Sequence, residues 1–498
     1  MSPSVPDVDL DDPDLHRRPF VLVVSHALTG HVEPLTRVAA ALRERGWAVA
    51  FLGPTAHRRA IEAAVGSGPG AFVPLRGPAD LDGRAYYADP PAGPGYAARH
   101  WADRVLVDIE AQVLGPLPAQ WACVRDALAD LHARDPARGV LLLAEAFFYG
   151  VLPLFYGAPL PDGVPPPLGS LCVSVTVPAI RSADLPPLGY PFPPDASAEG
   201  RARNERLWRR SWERKAAPLT ALLDAKLREA GAARPVGETF FSGANYTCHS
   251  TILQLGVPGF EYPRSDWPPG FKFAGLVQGG SGSKPSRVPE FPWWDEIVAN
   301  SAAADPRARK KVVVVAQGTV EINPHDLIIP TMRAFADRPD VIVIAILGWK
   351  DARLSDFSSG DGDAAGTIPP NTRIADYLSY DAVLAHADVW VHNAGFGAVN
   401  HGIANGVPMV AAGEGMDKGE NARRIAWSGI GIDLCSGKPT VEQVRDGVGC
   451  VLADARFTTR IRELKRESDE LNCFDVVHEE LIQLATMRPG IRQKSYIV

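Results

Sequence analysis

Short β-rich runs alternate with amphipathic helical segments in both halves of the chain, and this repeat limits the folds that the chain can adopt. The run FVLVVS at 20–25 precedes an apolar helical stripe at 35–42, and another β-rich run follows at 47–52. The alternation resumes with a β-rich run at 312–316 and a helical pattern at 326–336. Strands that alternate with helices build parallel sheets covered by helices. The sequence therefore predicts an α/β protein with two doubly wound, Rossmann-like domains.

Changes in composition along the chain predict its domain boundaries. We expect an acidic flexible tail at 1–19, an amino-terminal Rossmann-like domain at 20–278, a linker at 279–287, a carboxyl-terminal Rossmann-like domain at 288–470 and a helical segment at 471–498 that packs back on the first domain. The linker is assigned from its Gly/Ser composition, which gives a flexible coil. Two open α/β domains joined by one linker predict a ligand cleft between them, near the carboxyl ends of the strands.

Charge and cysteine usage limit the classes of partner and compartment. The chain has 51 basic and 58 acidic side chains and a formal net charge of −7, so no attraction of the whole chain to nucleic acid is expected. None of its six cysteines forms a Cys-x-x-Cys pair and its start is acidic rather than apolar, which favours the cytoplasm. The apolar stretch at 139–160 contains Glu145 and Pro153, so we expect no stable membrane insertion. A small-molecule partner is consistent with this charge and with the absence of a predicted membrane segment.

The loop after the first predicted strand contains the first candidate for chemistry. His31 follows Gly30 where the strand gives way to a helix, a position that faces a ligand site at the carboxyl edge of the sheet. An imidazole titrates near neutral pH, which suits a general base. A capping or surface histidine is the alternative interpretation.

Two sequence blocks together are similar to those of a known family. The first is Gly-His-Val-Glu-Pro-Leu at 30–35, and the second runs from His-Asn-Ala-Gly-Phe-Gly at 392–397 through Asn-Gly-Val-Pro at 405–408 to Asp-Lys at 417–418. The chain resembles the inverting UDP-glycosyltransferases of the GT-B fold, including members that glycosylate macrolides, lipids and sterols. The resemblance implies transfer of a sugar, most simply glucose from UDP-glucose, to a hydroxyl of an apolar natural product or lipid.

The resemblance also implies roles for individual residues. His31 matches the base that deprotonates the acceptor, and Glu145 matches the acid that orients this base, where the family usually has Asp. A buried carboxylate satisfied by the backbone is the alternative for Glu145. His26 lies in the same loop outside the family motif and is expected to contribute far less. The residues expected to bind the donor are Gly318, Thr319, Tyr377, His392, Asn393, Gly395, Phe396, Gly397, Ala398, His401, Asp417 and Lys418.

Elementary chemistry supports several of these assignments independently. The glycine-rich turns at 317–319 and 395–397 present backbone N–H groups and a helix N-terminus, which bind phosphate well. Tyr377 offers an aromatic face for a nucleobase, and a carboxylate such as Asp417 accepts two hydrogen bonds from a sugar diol. The aromatic middle segment adds candidate acceptor contacts, with plain core as the alternative: Trp101, Phe147 and Phe148.

No metal or cofactor is expected besides the nucleotide sugar. Residues 361–363 have an Asp-x-Asp pattern, but they lie in a Ser/Gly-rich stretch that predicts a solvated loop. A base for the acceptor and N–H donors for the diphosphate are sufficient for direct displacement.

Three departures from the family pattern leave the donor and the activity open. Asn393 stands where the family has a diphosphate-binding His, His401 where it has a ribose-binding Glu, and Lys418 where Gln is common. An ammonium beside Asp417 would suit a uronic acid donor, although glucose ranks first on resemblance. The alternative function is a catalytically silent GT-B protein that binds a nucleotide or glycolipid and assists a partner enzyme.

Overall fold

The computed structural model describes residues 18–88, 93–96, 98–277, 289–305, 307–318, 323–357 and 368–486. The predicted linker at 279–287, the Asp-x-Asp pattern at 361–363 and the candidate donor residue Thr319 lie outside the described residues. All but the last two residues of the predicted acidic tail at 1–19 lie outside them as well.

The chain forms two compact units, each built on one parallel sheet. The first unit comprises Met1–Leu255, Pro263–Val277 and Leu471–Val498, and the second comprises Gly256–Tyr262 and Gln278–Glu470. Neither unit is continuous in sequence, because a short segment after residue 255 belongs to the second unit and the carboxyl-terminal helix belongs to the first.

The first unit contains a seven-stranded sheet in the order β3-β2-β1-β4-β5-β6-β7. Its strands are β1 Phe20–Val24, β2 Val49–Gly53, β3 Phe72–Pro74, β4 Val140–Glu145, β5 Gly169–Ser174, β6 Thr251–Gln254 and β7 Phe271–Phe273. Its helices are α1 Thr29–Glu44, α2 Arg58–Val65, α3 Gly83–Ala88, α4 Trp101–Asp108, α5 Leu117–Arg134, α6 Leu152–Phe155, α7 Ala198–Leu207, α8 Glu213–Glu229 and α9 Ala244–Thr247. Two π-helical turns, Ile109–Leu114 and Trp208–Trp212, join α4 to α5 and α7 to α8.

The second unit contains a six-stranded sheet in the order β10-β9-β8-β11-β12-β13. Its strands are β8 Lys311–Ala316, β9 Val341–Ile346, β10 Thr372–Ala375, β11 Val389–His392, β12 Met409–Ala411 and β13 Gly431–Asp433. Its helices are α10 Trp294–Ser301, α11 Ile328–Ala334, α12 Tyr380–Leu384, α13 Phe396–Asn405, α14 Lys418–Trp427, α15 Val441–Ala453 and α16 Ala455–Leu471. The last helix of the chain, α17 Cys473–Thr486, packs on the first unit through Val477 and Leu481.

Helices cover both faces of each sheet, which explains the continuous apolar runs of the central strands. In β1, Val21 and Val23 face one core cluster while Leu22 and Val24 face another on the opposite side. All strand pairs in both sheets are parallel. The prediction of an α/β protein with two doubly wound sheets is therefore confirmed.

One local prediction needs correction. The sequence pattern predicts a strand at 372–378, but the strand ends at Ala375, so Tyr377 lies in the loop after β10 rather than in the strand. The apolar stretch at 139–160 forms the buried strand β4 followed by short helical turns. Across the part of the chain that the structure describes, no helix is both long enough and apolar enough to cross a membrane.

Candidate active site

The candidate base and its acidic partner meet at the carboxyl edge of the first sheet. Strands β1 and β4 are direct neighbours, with Val24 opposite Ala144, so the loop after β1 lies beside the end of β4. His31 occupies the first turn of α1 and Glu145 is the last residue of β4. His31 Nδ1 lies 3.0 Å from Glu145 Oε1, with the carboxylate fully buried and the imidazole 20% exposed. The fold thus brings together two residues that are more than a hundred positions apart.

The surroundings of Glu145 keep its carboxylate ionised. Burial raises the pKa of Glu145, but the charge and hydrogen bond of His31 and the hydrogen bond from the Phe147 N–H bring this pKa below its ordinary value. The Phe147 N–H donates to Oε1 at 3.0 Å. In the neutral form of the His31 ring, an ionised carboxylate at Nδ1 favours the proton on Nδ1 and leaves the lone pair on Nε2, the tautomer that a general base requires.

A second histidine, His26, supports the loop that carries the candidate base. The Leu28 N–H donates to His26 Nδ1 at 3.3 Å, so Nε2 carries the ring proton and donates to the Gln112 carbonyl oxygen at 3.1 Å. The Leu28 carbonyl in turn accepts from the His31 N–H at 2.9 Å. Burial, followed by the nearby charge of His31, lowers the pKa of His26 to about 4. His26 is therefore a neutral clamp for the start of α1.

The candidate acceptor aromatics have three different environments. Phe147 is partly buried, and its ring meets the His31 ring edge-on at a centroid distance of 6.0 Å. Phe148 is 1% exposed and packs in the core between the sheet and α5, so the alternative of a core residue applies to it. Trp101 begins α4 and is partly exposed. Of the three, Phe147 alone is placed in direct contact with the candidate base.

In the second unit, two glycine-containing turns lie side by side at the carboxyl edge of the sheet. His392 at the end of β11 is opposite Ala316 at the end of β8, so the loops that follow are neighbours. Gly318 has a φ of +75°, a conformation that favours glycine, and Gly395 caps the N-terminus of α13. A Cβ placed on Gly397 would meet no heavy atom within 4 Å, so space is open at the first turn of α13.

Asn393 and His392 both help to hold this loop in place. The Asn393 side-chain amide donates to the Gln317 carbonyl oxygen, which joins the β11 loop to the β8 loop. His392 is fully buried, and its Nδ1 accepts from the Ala394 N–H at 3.0 Å. Burial lowers the pKa of His392 to about 3, so the ring is neutral. Neither residue brings a positive charge to a diphosphate.

The residues expected to contact the sugar lie at the start of α14, which is joined to the same loop. Asn421 uses its side-chain amide to bridge the two, donating to the Ala394 carbonyl at 2.8 Å and to Asp417 Oδ2 at 3.0 Å. Asp417 is partly exposed and Lys418 is buried. A Cβ on Gly413 would lie 2.2 Å from the Asn393 carbonyl oxygen, so glycine is required there for the close approach of the backbones.

The remaining donor candidates lie on other elements of the second unit. Tyr377 follows β10 and is 58% exposed. His401 on α13 has its Nδ1 2.6 Å from Asp381 Oδ1 on α12, and Asn405 donates to the same oxygen at 3.0 Å. Phe396 is buried at the start of α13, and the Ala398 carbonyl accepts from Trp390 Nε1 at 3.0 Å. The Phe396 ring thus packs within the unit, and the hydrogen bond from Trp390 fixes the Ala398 carbonyl in the first turn of α13.

Sequence patterns did not indicate two supporting residues. Gln112 and Asp381 act through contacts formed in the folded unit, and neither lies in a motif with its partner. Among the described residues, no group of three or more His, Cys, Asp or Glu side chains is arranged to hold a metal ion.

Comparisons with known proteins identify the family. Residues 351–484 match the model described as "Erythromycin biosynthesis protein CIII-like, C-terminal domain". UDP-glucosyltransferase 1 of Beauveria bassiana (strain ARSEF 2860) is 34% identical over 492 residues, which are 98% of this chain and 100% of that protein. UDP-glucosyltransferase A1 of Starmerella bombicola is 31% identical over 486 residues, or 97% of this chain and 96% of that one.

The fold agrees with solved structures. The crystal structure of the glycotransferase of kitacinnamycin superimposes with a TM-score of 0.63 at 20% identity, covering 94% of this chain and 100% of the other. At this identity the likeness shows the fold alone, which is GT-B, whereas the full-length relatives above 30% identity show the family. The chain therefore belongs to the UDP-glycosyltransferases of the GT-B fold and is an enzyme that transfers a sugar from a UDP-sugar.

Proposed function

We propose that the enzyme transfers glucose from UDP-glucose to a hydroxyl of an apolar small molecule, a natural product or a lipid, with inversion at the anomeric carbon. The observation that carries this proposal is the contact of His31 with the buried carboxylate of Glu145 at 3.0 Å. This pair provides a base at the carboxyl edge of the sheet, because the neutral imidazole carries its lone pair on Nε2 when Nδ1 faces the carboxylate. Location in the cytoplasm is part of the same proposal.

The chemical step is a single displacement. His31 Nε2 takes the proton of the acceptor hydroxyl while the hydroxyl oxygen forms a bond to the anomeric carbon of the donor. The bond from that carbon to the diphosphate oxygen breaks, and its electron pair leaves with UDP. Glu145 stabilises the imidazolium that forms, because the carboxylate stays ionised beside Nδ1.

The leaving diphosphate gains negative charge, and backbone groups of the second unit are suited to accept it. The N–H groups in the first turn of α13 and the positive end of its dipole favour an anion beside Gly395 and Gly397. Because His392 is neutral and Asn393 has no charge, this stabilisation rests on hydrogen bonds rather than on a cationic side chain. No metal is part of the proposed step.

The proposed donor site uses residues of the second unit that are exposed or partly exposed. Tyr377 would stack on the nucleobase, His401 would contact the ribose and Asp417 would accept hydrogen bonds from the sugar. The names of the full-length relatives support UDP-glucose over a uronic acid donor. A uronic acid donor remains the second candidate, because Lys418 follows Asp417 and an ammonium pairs with a carboxylate.

The variant Gly397→Ala is expected to weaken donor binding without lowering the stability of the protein. A Cβ at this position leans toward the N-terminal end of α13, where the diphosphate would bind, and meets no protein atom within 4 Å. We expect the Kd for UDP to rise about tenfold, equivalent to about 1.4 kcal/mol, while thermal stability stays equal or rises slightly. Calorimetric titration with UDP and a melting curve measure the two effects.

The control for this variant is Gly449→Ala in α15. An added Cβ would also meet open space at this glycine, and neither glycine has a positive φ. Its substitution should leave UDP binding unchanged. Equal UDP affinity in wild-type protein and Gly397→Ala would contradict the placement of the diphosphate.

Sugar transfer itself is tested with UDP-glucose and a panel of apolar hydroxylated acceptors. We expect acceptor-dependent release of UDP and a product heavier than the acceptor by one hexose residue. UDP-glucuronic acid in parallel reactions ranks the two donors. Binding of UDP-glucose without acceptor-dependent release across the panel would favour the alternative, a silent protein that assists a partner enzyme.

A further inference from the structure

The first unit has a strongly basic segment that the proposed catalytic function does not use. Between Ala198 and Lys215 the chain has seven basic and three acidic side chains, although its formal net charge is −7. This segment comprises α7, the π-helical turn Trp208–Trp212 and the first residues of α8. A local excess of positive charge in an acidic protein points to an anionic partner.

Some of these basic side chains have partners within the unit. Arg201 pairs with Asp184 at 2.7 Å, and Arg209 pairs with Glu205 at 2.7 Å. Arg203 lies 3.8 Å from Asp195. These residues are accounted for by the fold and do not need an external ligand.

Four others have no such partner: Arg206, Arg210, Arg214 and Lys215. All four are exposed, and within the described parts of the chain none of them is in an ion pair. The three arginines are four residues apart, a spacing that weakens a helix when the charges are alike. An external anion would offset this repulsion.

The direction of these side chains follows from the buried stripe of the same segment. Asn204, Trp208 and Ala216 are buried against the unit, and each arginine is two residues from a member of that stripe. Two residues correspond to about half a helical turn, so the arginines lie on the opposite, outward side. The charges therefore face solvent together.

Two aromatic side chains border the charges. Arg203 lies over the ring of Phe192 at 4.9 Å from its centroid, and Phe192 is 38% exposed. Lys215 Nζ lies 5.9 Å from the centroid of the partly exposed Tyr190 ring. Exposed aromatic rings beside Arg and Lys are typical of segments that rest in the headgroup layer of a bilayer.

We propose that this basic surface, formed by Arg206, Arg210, Arg214, Lys215, Tyr190 and Phe192, docks the enzyme on an anionic lipid bilayer. The charges match anionic headgroups, and Phe192 enters the interface. The surface belongs to the unit that contains His31. If the acceptor is apolar, as in the proposed function, it concentrates in lipid, and docking brings the enzyme to it.

The test is co-sedimentation of the full-length protein with vesicles of phosphatidylcholine alone or of phosphatidylcholine mixed with phosphatidylglycerol, which gives the surface a negative potential. We expect binding to the anionic vesicles and none to the neutral ones. The combined variant Arg206→Glu, Arg210→Glu, Arg214→Glu should lower the partition coefficient at least about 100-fold, since each basic residue near the surface contributes about fivefold. Salt near 1 M, with a Debye length of about 3 Å, should release the wild type.

The matched control reverses three other exposed arginines that form no ion pair in the described structure: Arg59, Arg462 and Arg466. The change in net charge is the same, and binding should fall far less. A second triple variant, Arg206→Gln, Arg210→Gln, Arg214→Gln, removes the charges without adding acidic groups. It should also lose binding, and Phe192→Ser should weaken it.

Three results would overturn the proposal. The first is the absence of a preference for anionic vesicles, either because the protein binds both kinds equally or because it binds neither. The second is an equal loss of vesicle binding in the control variant, and the third is binding of an oligonucleotide in place of vesicles. None of these measurements depends on sugar transfer. A negative result in the vesicle experiments therefore does not contradict the proposed glucosyltransferase activity. Likewise, absence of that activity would not contradict vesicle binding.

Discussion

The His31→Ala variant is expected to lose about 100-fold to 10,000-fold in turnover while its affinity for the UDP-sugar stays nearly unchanged. The imidazole acts only as the acceptor hydroxyl attacks, so its removal takes away stabilisation of the transition state. The donor candidates all lie in the second unit, whereas His31 and Glu145 lie in the first. Steady-state kinetics with a good acceptor and calorimetric titration with UDP-glucose measure the two quantities separately.

Three further variants provide turnover values with which the His31→Ala variant is compared. Glu145→Gln keeps a hydrogen-bond partner for the ring but loses the charge that stabilises the imidazolium, so its loss should be intermediate. His26→Ala removes the clamp on Leu28 and should cost about tenfold through displacement of the loop. His132→Ala is the inert control, because α5 ends where β4 begins, at the edge of the sheet opposite Glu145. Retention of more than about half of wild-type turnover in His31→Ala, against an expected loss of at least about 100-fold, would exclude His31 as the base.

The Arg424→Ala variant should lower the free energy of unfolding of the second unit by about 3–5 kcal/mol. Arg424 Nε lies 2.7 Å from Glu261 and its Nη1 lies 2.8 Å from Glu420, and all three side chains are less than 10% exposed. Burial lowers the pKa of Arg424, but the two carboxylates outweigh it and the pKa is raised. Alanine would leave both acids buried without their cation. Urea unfolding followed by tryptophan fluorescence measures the loss.

Arg423→Ala is the matched control for this variant. Arg423 is adjacent in sequence, is 28% exposed and shares the partner Glu420. Its removal should cost less than about 1 kcal/mol. Equal midpoints for Arg424→Ala and the wild type would show that the buried ion pairs do not hold the segment 256–262 in the second unit.

The two sheets could be predicted from the sequence because parallel strands covered on both faces need continuous apolar runs. Such runs are visible in β1, β8 and β9. The pairing of His31 with Glu145 was accessible only through the family resemblance. No local pattern links residues that become neighbours when β1 pairs with β4. The predicted strand extended too far because the apolar residues Tyr377 and Leu378 follow Ala375, whereas pairing with β9 stops at Ala375.

The supporting contacts could not be predicted from sequence for a different reason. The acceptor for His26 is the carbonyl of Gln112, 86 residues away in a π-helical turn whose geometry depends on the packed unit. Asn393 occupies a position expected to touch the diphosphate, yet its amide also donates to the Gln317 carbonyl. Such side chains meet their partners only after both loops are built on the finished sheet. Residue type alone therefore could not distinguish residues that bind the ligand from residues that hold the loops in place.

The most direct test of the proposed mechanism is the anomeric configuration of the product formed from α-linked UDP-glucose. A single displacement driven by His31 inverts the anomeric carbon, so proton NMR of the purified glucoside should show a β-linkage. A product with the α-linkage would contradict the mechanism, because retention requires a different sequence of bond changes at that carbon.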